Sequence, residues 1–98
     1  MREKIISAEI EPAPNQANHA ALALQQLGFR ILHIGPTISV QGPQSLWTST
    51  FNVSFELQKR TAVGEITYQK ALVDDMRVPE DLQSLIARVM FVEPPELY

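Results

Sequence analysis

Residues 24–51, LQQLGFRILHIGPTISVQGPQSLWTSTF, decide how the rest of the chain must be read, because each junction within them carries its own physical signal. Gly28 follows the last apolar helical position, and a glycine there can enter the left-handed conformation that ends a helix. In a Schellman ending Phe29 then folds back onto Leu24. Residues 29–34 follow as a strand. At Gly35 and Pro36 the proline ring fixes φ and removes an N–H, so the chain turns between Ile34 and Ile38 and residues 37–41 return as the second arm of a hairpin. Pro43 suits a first helical position, where its missing N–H costs nothing. Leu46, Trp47, Thr50 and Phe51 then share one side of a short helix over 43–50. Helix, strand, strand, helix in that order is the interior of a βαββαβ sandwich.

Working outward, residues 4–11 alternate Ile6, Ala8 and Ile10 with Ser7, Glu9 and Glu11, the pattern of a half-buried strand. Two prolines, Pro12 and Pro14, stop it, and Asn15 is the expected N-cap of a helix over 15–27 whose Ala17, Ala20, Leu24 and Leu27 share a face. The alanines keep that face thin, so helix and sheet can approach closely. Residues 29–34 are apolar on both sides of the pleat apart from Arg30 and His33, which reads as a central strand. Downstream, 52–58 alternates throughout, with Val53, Phe55 and Leu57 on one face and Asn52, Ser54, Glu56 and Gln58 on the other. A charged turn over 59–64 then leads to a returning strand over 65–73. Pro79 with Glu80 and Asp81 has the composition of a helix start, and Leu82, Leu85, Ile86, Val89 and Met90 follow at helical spacing. Pro94 and Pro95 end it and leave 93–98 extended. The expected fold is α+β, a ferredoxin-like βαββαβ antiparallel sheet in a single domain, 1–98. Both inner helices lie on the sheet face that receives Ile6, Ile10, Val40, Val53 and Phe55, and an extra strand and a C-terminal helix are added. An apolar stripe on so small a domain is a candidate homodimer surface through Leu82, Leu85, Ile86, Val89 and Met90.

Composition excludes several functions. With 98 residues, 45% hydrophobic and 19% charged, the chain has the make-up of one soluble globule. Eight basic against eleven acidic residues give a net charge of −3, which is no footprint for nucleic acid or an anionic membrane surface. Without cysteine there are no disulfides and no thiolate metal sites. No apolar run reaches the length of a signal peptide core or a membrane span, and the expected location is cytoplasmic.

No constellation supports catalysis. Asp74 and Asp75 with Glu80 and Asp81 form the densest acidic cluster, but they lack the glycine and the alternating oxygen ligands of a calcium loop, and a helix start already accounts for the second pair. His19 and His33 have no Asp or Glu at a ligand or relay spacing. Ser39, Ser45, Ser49 and Ser54 have no nucleophile-elbow context. An RNA-binding sheet of this topology would need aromatic and basic residues on its exposed strands, and the central strands offer none. The reading is therefore a non-enzyme with no cofactor, no metal and no catalytic residue.

The run LQQLGFRILHIGPTISVQGPQSLWTSTFNVSFEL resembles the pro-domains of subtilisin-like and sedolisin-like (kumamolisin) serine peptidases. In these a helix ends in a Leu-x-x-Gly-Phe-like sequence, a strand pair closes on a Val-x-Gly as at Val40-Gln41-Gly42, and a short helix leads through an aromatic into another strand. The later VPEDLQSLIARVMFVEPPELY is similar to the Pro-x-x-Leu-x-x-x-Val-x-x-Val segment of sedolisin pro-domains at Pro79, Leu82, Ile86 and Val89. Together the two runs cover most of the chain, and the matching residues belong to core and turns. The resemblance implies a module that covers a serine peptidase with its open sheet face and runs its C-terminal tail through the active site. Since no peptidase follows Tyr98, it implies an inhibitor or folding chaperone acting in trans. Its expected partner-binding residues are Asn52, Ser54, Glu56 and Gln58 with Glu96, Leu97 and Tyr98 of the tail. The alternative is a ferredoxin-like small-ligand-binding or regulatory domain, acting as a homo-oligomer without a peptidase partner.

Overall fold

The computed structural model describes residues 4–60 and 66–92. In chain order these form β1 (Ile5–Pro12), α1 (Ala17–Leu27), β2 (Arg30–Ile34), β3 (Ile38–Pro43), α2 (Gln44–Phe51), β4 (Ser54–Arg60), β5 (Ile66–Leu72), a 3-10 turn over Glu80–Leu82 and β6 (Ile86–Phe91). Four strands make an antiparallel sheet in the order β2-β3-β1-β6, while β4 and β5 form a separate two-stranded antiparallel sheet. The protein is a small α+β fold with two α-helices among the described residues.

The inner segment forms as its junctions dictate. Gly28 sits at φ 112°, its N–H bonds back to Gln25, and Phe29 N–H donates to the Leu24 carbonyl at 3.1 Å, the paired bonds of a Schellman ending. Gly35 N–H donates to the Thr37 carbonyl at 2.9 Å in the turn between β2 and β3. Proline and glycine finish β3 together: Gly42 lies under the Phe29 ring, where a Cβ would come within 2.7 Å of Phe29 Cδ1, so only a residue without one lets the ring lie flat on the strand. Pro43 ends β3 as the cap residue rather than the first helical residue of α2, its ψ of 152° being extended. Upstream, Asn15 is not the cap of α1. It occupies a turn at φ 64°, and Gln16 precedes the helix without a capping side-chain bond, its Oε1 instead 3.0 Å from His19 Nδ1.

Both helices cover one face of the four-stranded sheet. From the strands that face receives Ala8, Ile10, Ile38, Val40, Ile86 and Val89, and from the helices Ala20, Ala21, Leu24, Trp47 and Phe51, all buried in a single core. Trp47 is its centre. Its ring centroid lies 4.5 Å from Phe29, 5.5 Å from Phe51 and 5.0 Å from Phe91, and its indole N–H donates to the Ile6 carbonyl at 3.0 Å, so its one polar atom is satisfied without water.

Three expectations need correction. The segment expected as a C-terminal helix is a 3-10 turn followed by β6, which lies against β1 with Ala8 opposite Phe91 and Ile10 opposite Val89. The cause of the misreading is a bulge: Pro12 pairs with Ile86 but Glu11 pairs with Arg88, so β6 carries one extra residue and its core-facing Ile86 and Val89 stand three apart, a helical spacing on a strand. Leu82, Ile86 and Val89 are consequently interior, with Leu85 packed against them, while Met90 stands opposite Glu9 on the other face of the sheet, so the five residues do not form one exposed stripe. Second, β2 is an edge strand rather than a central one. A bulge between Ile31 and His33 again breaks the alternation, which is why its apolar residues fall on both parities. Third, residues 52–58 do not close the main sheet. Burial falls away along them, from Val53 fully buried, through Phe55 half-buried against Phe91, to Leu57 at 62% exposure, so Val53, Phe55 and Leu57 do not share one covered face.

Candidate functional site

The alternation that sends Ala8, Ile10, Ile38 and Val40 into the core turns Ser7, Glu9, Glu11, Ser39 and Gln41 to the opposite face of the same sheet. Among the described residues no helix lies on that side, and none of these residues is buried. The register aligns them in rows. Arg30 stands opposite Gln41 and Gln41 opposite Ser7; His33 stands opposite Ser39, Ser39 opposite Glu9 and Glu9 opposite Met90; Glu11 stands opposite Arg88.

Glu9, on the central strand, organises this surface. Thr37 Oγ1 donates to its Oε1 at 2.6 Å and Ser39 Oγ to its Oε2 at 2.7 Å, which fixes the carboxylate across β1 and β3. These two hydroxyl bonds, Thr37's first, hold its pKa below the ordinary carboxylate value, helped by the positive field of His33 and opposed by partial desolvation. The Arg88 guanidinium lies 3.6 Å from Glu11 with both side chains well exposed, an ion pair of at most about 1 kcal/mol. The face is thus made largely of short hydroxyl and amide side chains, with one pinned carboxylate near its middle and an arginine on each edge strand. Arg30 and Gln41, at one end of it, also line a shallow cavity of about 210 Å³ with Ile5, Gly28, Gly42 and Pro43.

The residues expected to bind a partner lie elsewhere. Asn52 closes α2 in the left-handed conformation at φ 55°, and its Nδ2 donates to the Asp75 carbonyl at 2.9 Å. Ser54, Glu56 and Gln58 are on β4, opposite Leu72, Lys70 and Tyr68 of β5, so they form one face of the two-stranded ribbon and not of the four-stranded sheet. Glu96, Leu97 and Tyr98 lie outside the described residues, as does most of the turn expected over 59–64. The residues missed on the open face were visible in sequence as the polar half of the β1 alternation. What hid them was the missing assignment of Ile86–Phe91 as a strand, without which β1 has no second neighbour and the sheet no defined outer surface.

On the helical side, Ala23, Gln26 and Leu27 of α1, Ser49 and Thr50 of α2, and Pro79, Asp81 and Leu82 line an open groove of about 480 Å³. Among the described residues no group of three or more His, Asp or Glu side chains could hold a metal ion, and no helix is long and apolar enough to cross a membrane. No protein-family model, curated protein or solved structure matches the chain.

Proposed function

We propose that this protein is a non-catalytic binding module of pro-domain type, which docks a subtilisin-like or sedolisin-like serine peptidase through the uncovered face of its four-stranded sheet and acts in trans as inhibitor or folding chaperone. The observation that carries the reading is that face: polar, uncovered, and centred on a carboxylate held in place by two hydroxyls. A preorganised acceptor costs little entropy on binding, because its side chain is already fixed. The strand order supports a ferredoxin-like sandwich as the scaffold. Counted without the β4–β5 ribbon, the chain runs βαββαβ and its strands stand in the order last, first, third, second. On this reading the ribbon is an insertion between the second helix and the closing strand. The proposal moves the principal contact from Ser54, Glu56 and Gln58 to Ser7, Glu9, Ser39 and Gln41, and keeps Glu96, Leu97 and Tyr98 as the segment entering the peptidase active site.

The test is inhibition of a small panel of such peptidases by the intact chain, by a form truncated after Val92, and by Glu9→Arg. The expected result is sub-micromolar inhibition, lost on truncation and weakened at least tenfold by the charge reversal, about 1.4 kcal/mol or more. Absence of inhibition across the panel, or inhibition indifferent to both changes, contradicts the proposal.

A second reading, a small-ligand or regulatory domain, rests on the groove between the helices and Pro79–Leu82, whose volume falls in the range of ligand pockets. A ligand bound there would raise the melting temperature, because anything that binds only the folded state stabilises it. A thermal-shift screen whose hits are lost in Ala23→Trp would favour this reading over the first.

A further inference from the structure

Resting on the small-ligand reading of the groove on the helical side, we infer that this groove takes a small organic cation, a primary ammonium carried on an apolar body. The groove lies on the helix-covered side of the sheet, away from Glu9, so it is separate from the face that docks a peptidase in the first reading.

Three elements form the groove, and each brings the same sign of charge. Gln26 and Leu27 belong to the last turn of α1, and Ser49 and Thr50 to the last turn of α2. The final carbonyls of a helix lack intrahelical partners and carry partial negative charge, which a basic side chain in the last turn commonly offsets; neither helix has one. The third wall is Pro79–Leu82. There Leu82 N–H donates to the Pro79 carbonyl at 2.8 Å and the Gln83 amide to the Val78 carbonyl at 3.2 Å, which holds the turn that carries Asp81. Among the described residues Asp81 is the one ionisable side chain lining the groove, and its carboxylate makes no ion pair. Two helix C-termini and an unpaired carboxylate around one concavity create a region of negative potential with no cation of the chain inside it.

The rest of the lining selects the form of the cation. Ala23, Leu27, Pro79 and Leu82 are apolar, and Leu27 is left 45% exposed. A hydrated inorganic ion would leave these side chains in water, whereas an apolar body covers them. An ammonium has three N–H donors and no acceptor, which matches a carboxylate in the same groove as the Gln26 amide oxygen and the Thr50 hydroxyl. An anionic ligand would meet Asp81 and both helix ends with the wrong sign, and a neutral one would leave their field unused. At about 480 Å³ the groove has room for a body of one ring or a short chain.

Phenethylamine, phenethyl alcohol and phenylacetate share an aromatic body and differ in charge, and each can be titrated into the full chain at neutral pH with amide-resolved NMR. The amine should shift the amides of Leu27, Thr50 and Leu82 with a Kd on the order of 1 mM, and the alcohol and the acid should bind there about tenfold more weakly or not at all. Asp81→Asn, at an exposed position, should weaken the amine about threefold and leave the alcohol unchanged, with near-UV dichroism of Trp47 checking that the variant folds. If it does not fold, salt replaces it: raising the ionic strength about tenfold should weaken the amine and not the alcohol. Alcohol or acid binding as tightly as the amine at these amides, amine affinity unchanged in a folded Asp81→Asn, or amine affinity indifferent to salt would overturn the assignment of a cation and leave the groove a ligand site. No shift at these amides with any of the three compounds up to about 20 mM would overturn the inference together with the small-ligand reading.

Discussion

β1 and β4 are built from the same kind of sequence and meet opposite fates. Both alternate apolar with polar residues, yet in β1 Ile10 is wholly buried between two paired strands and beneath the helices, whereas in β4 Leu57 is 62% exposed on a ribbon of two strands. The difference lies in what stands opposite. β1 has β3 on one side, β6 on the other and the Trp47 cluster above it, while β4 has, among the described residues, only β5 beside it and meets the body through Phe55 against Phe91. An alternating pattern specifies that a strand has two faces, and it leaves open whether another layer covers either of them. A ribbon of two strands is also marginal by itself in water, so β4 and β5 depend on their base, where Phe55 and Ala71 pack against the core.

The largest effect is expected at the aromatic centre of the body. Trp47→Ala removes a fully buried ring with three aromatic neighbours and should cost about 3–5 kcal/mol, a large part of the roughly 5–15 kcal/mol expected for a domain of this size. Urea titration followed by far-UV dichroism checks it, and a loss under about 1 kcal/mol would place the ring outside the core. The next effect contrasts the two strands directly. Ile10→Ala should lower stability by about 2–5 kcal/mol, and Leu57→Ala by less than about 0.5 kcal/mol. Equal losses would mean that the ribbon is covered as β1 is. Gly42→Ala should cost about 1–3 kcal/mol, because the added methyl meets the Phe29 ring at 2.7 Å and the ring is itself wedged against Trp47. Combining it with Phe29→Leu should recover part of that loss.

Smallest is the pH effect of Glu9. Its folded pKa lies below the ordinary value of 4.5, so its contribution to stability is present at neutral pH, above the unfolded-state pKa, and is lost as pH falls through the lowered folded value. The stability difference between the unmodified protein and Glu9→Gln should therefore hold steady from pH 7 to pH 6 and shrink on acidification below 4.5. A difference unchanged down to pH 3 would show that the hydroxyls of Thr37 and Ser39 do not favour the ionised form.

The elements that were legible before the structure are those whose signals are local. Gly28 ends α1 by its own backbone geometry, Gly35 and Pro36 turn the chain within a few residues, and β1 follows its alternation. Two bulges defeated two of the other readings. At Leu32 an extra residue makes an edge strand look apolar on both faces, and at Ala87 another gives β6 the spacing of a helix. Because β6 is what makes β1 central, that second misreading also concealed the open face, and the search for a polar surface settled on Ser54, Glu56 and Gln58, whose alternation is the more regular. Periodicity counts residues along the chain, and a bulge changes that count without changing which face is covered.

β6 closes the main sheet while the ribbon stands apart, and native-state hydrogen exchange by NMR tests that arrangement most directly. Amides of β1, β3 and β6 that bond within the sheet should exchange only through global unfolding, and those of β4 and β5 through local opening at a far lower free energy. Cross-strand contacts should link Ala8 with Phe91 and Ile10 with Val89. Helical sequential contacts over 82–90, or ribbon amides as protected as those of β1, would contradict it.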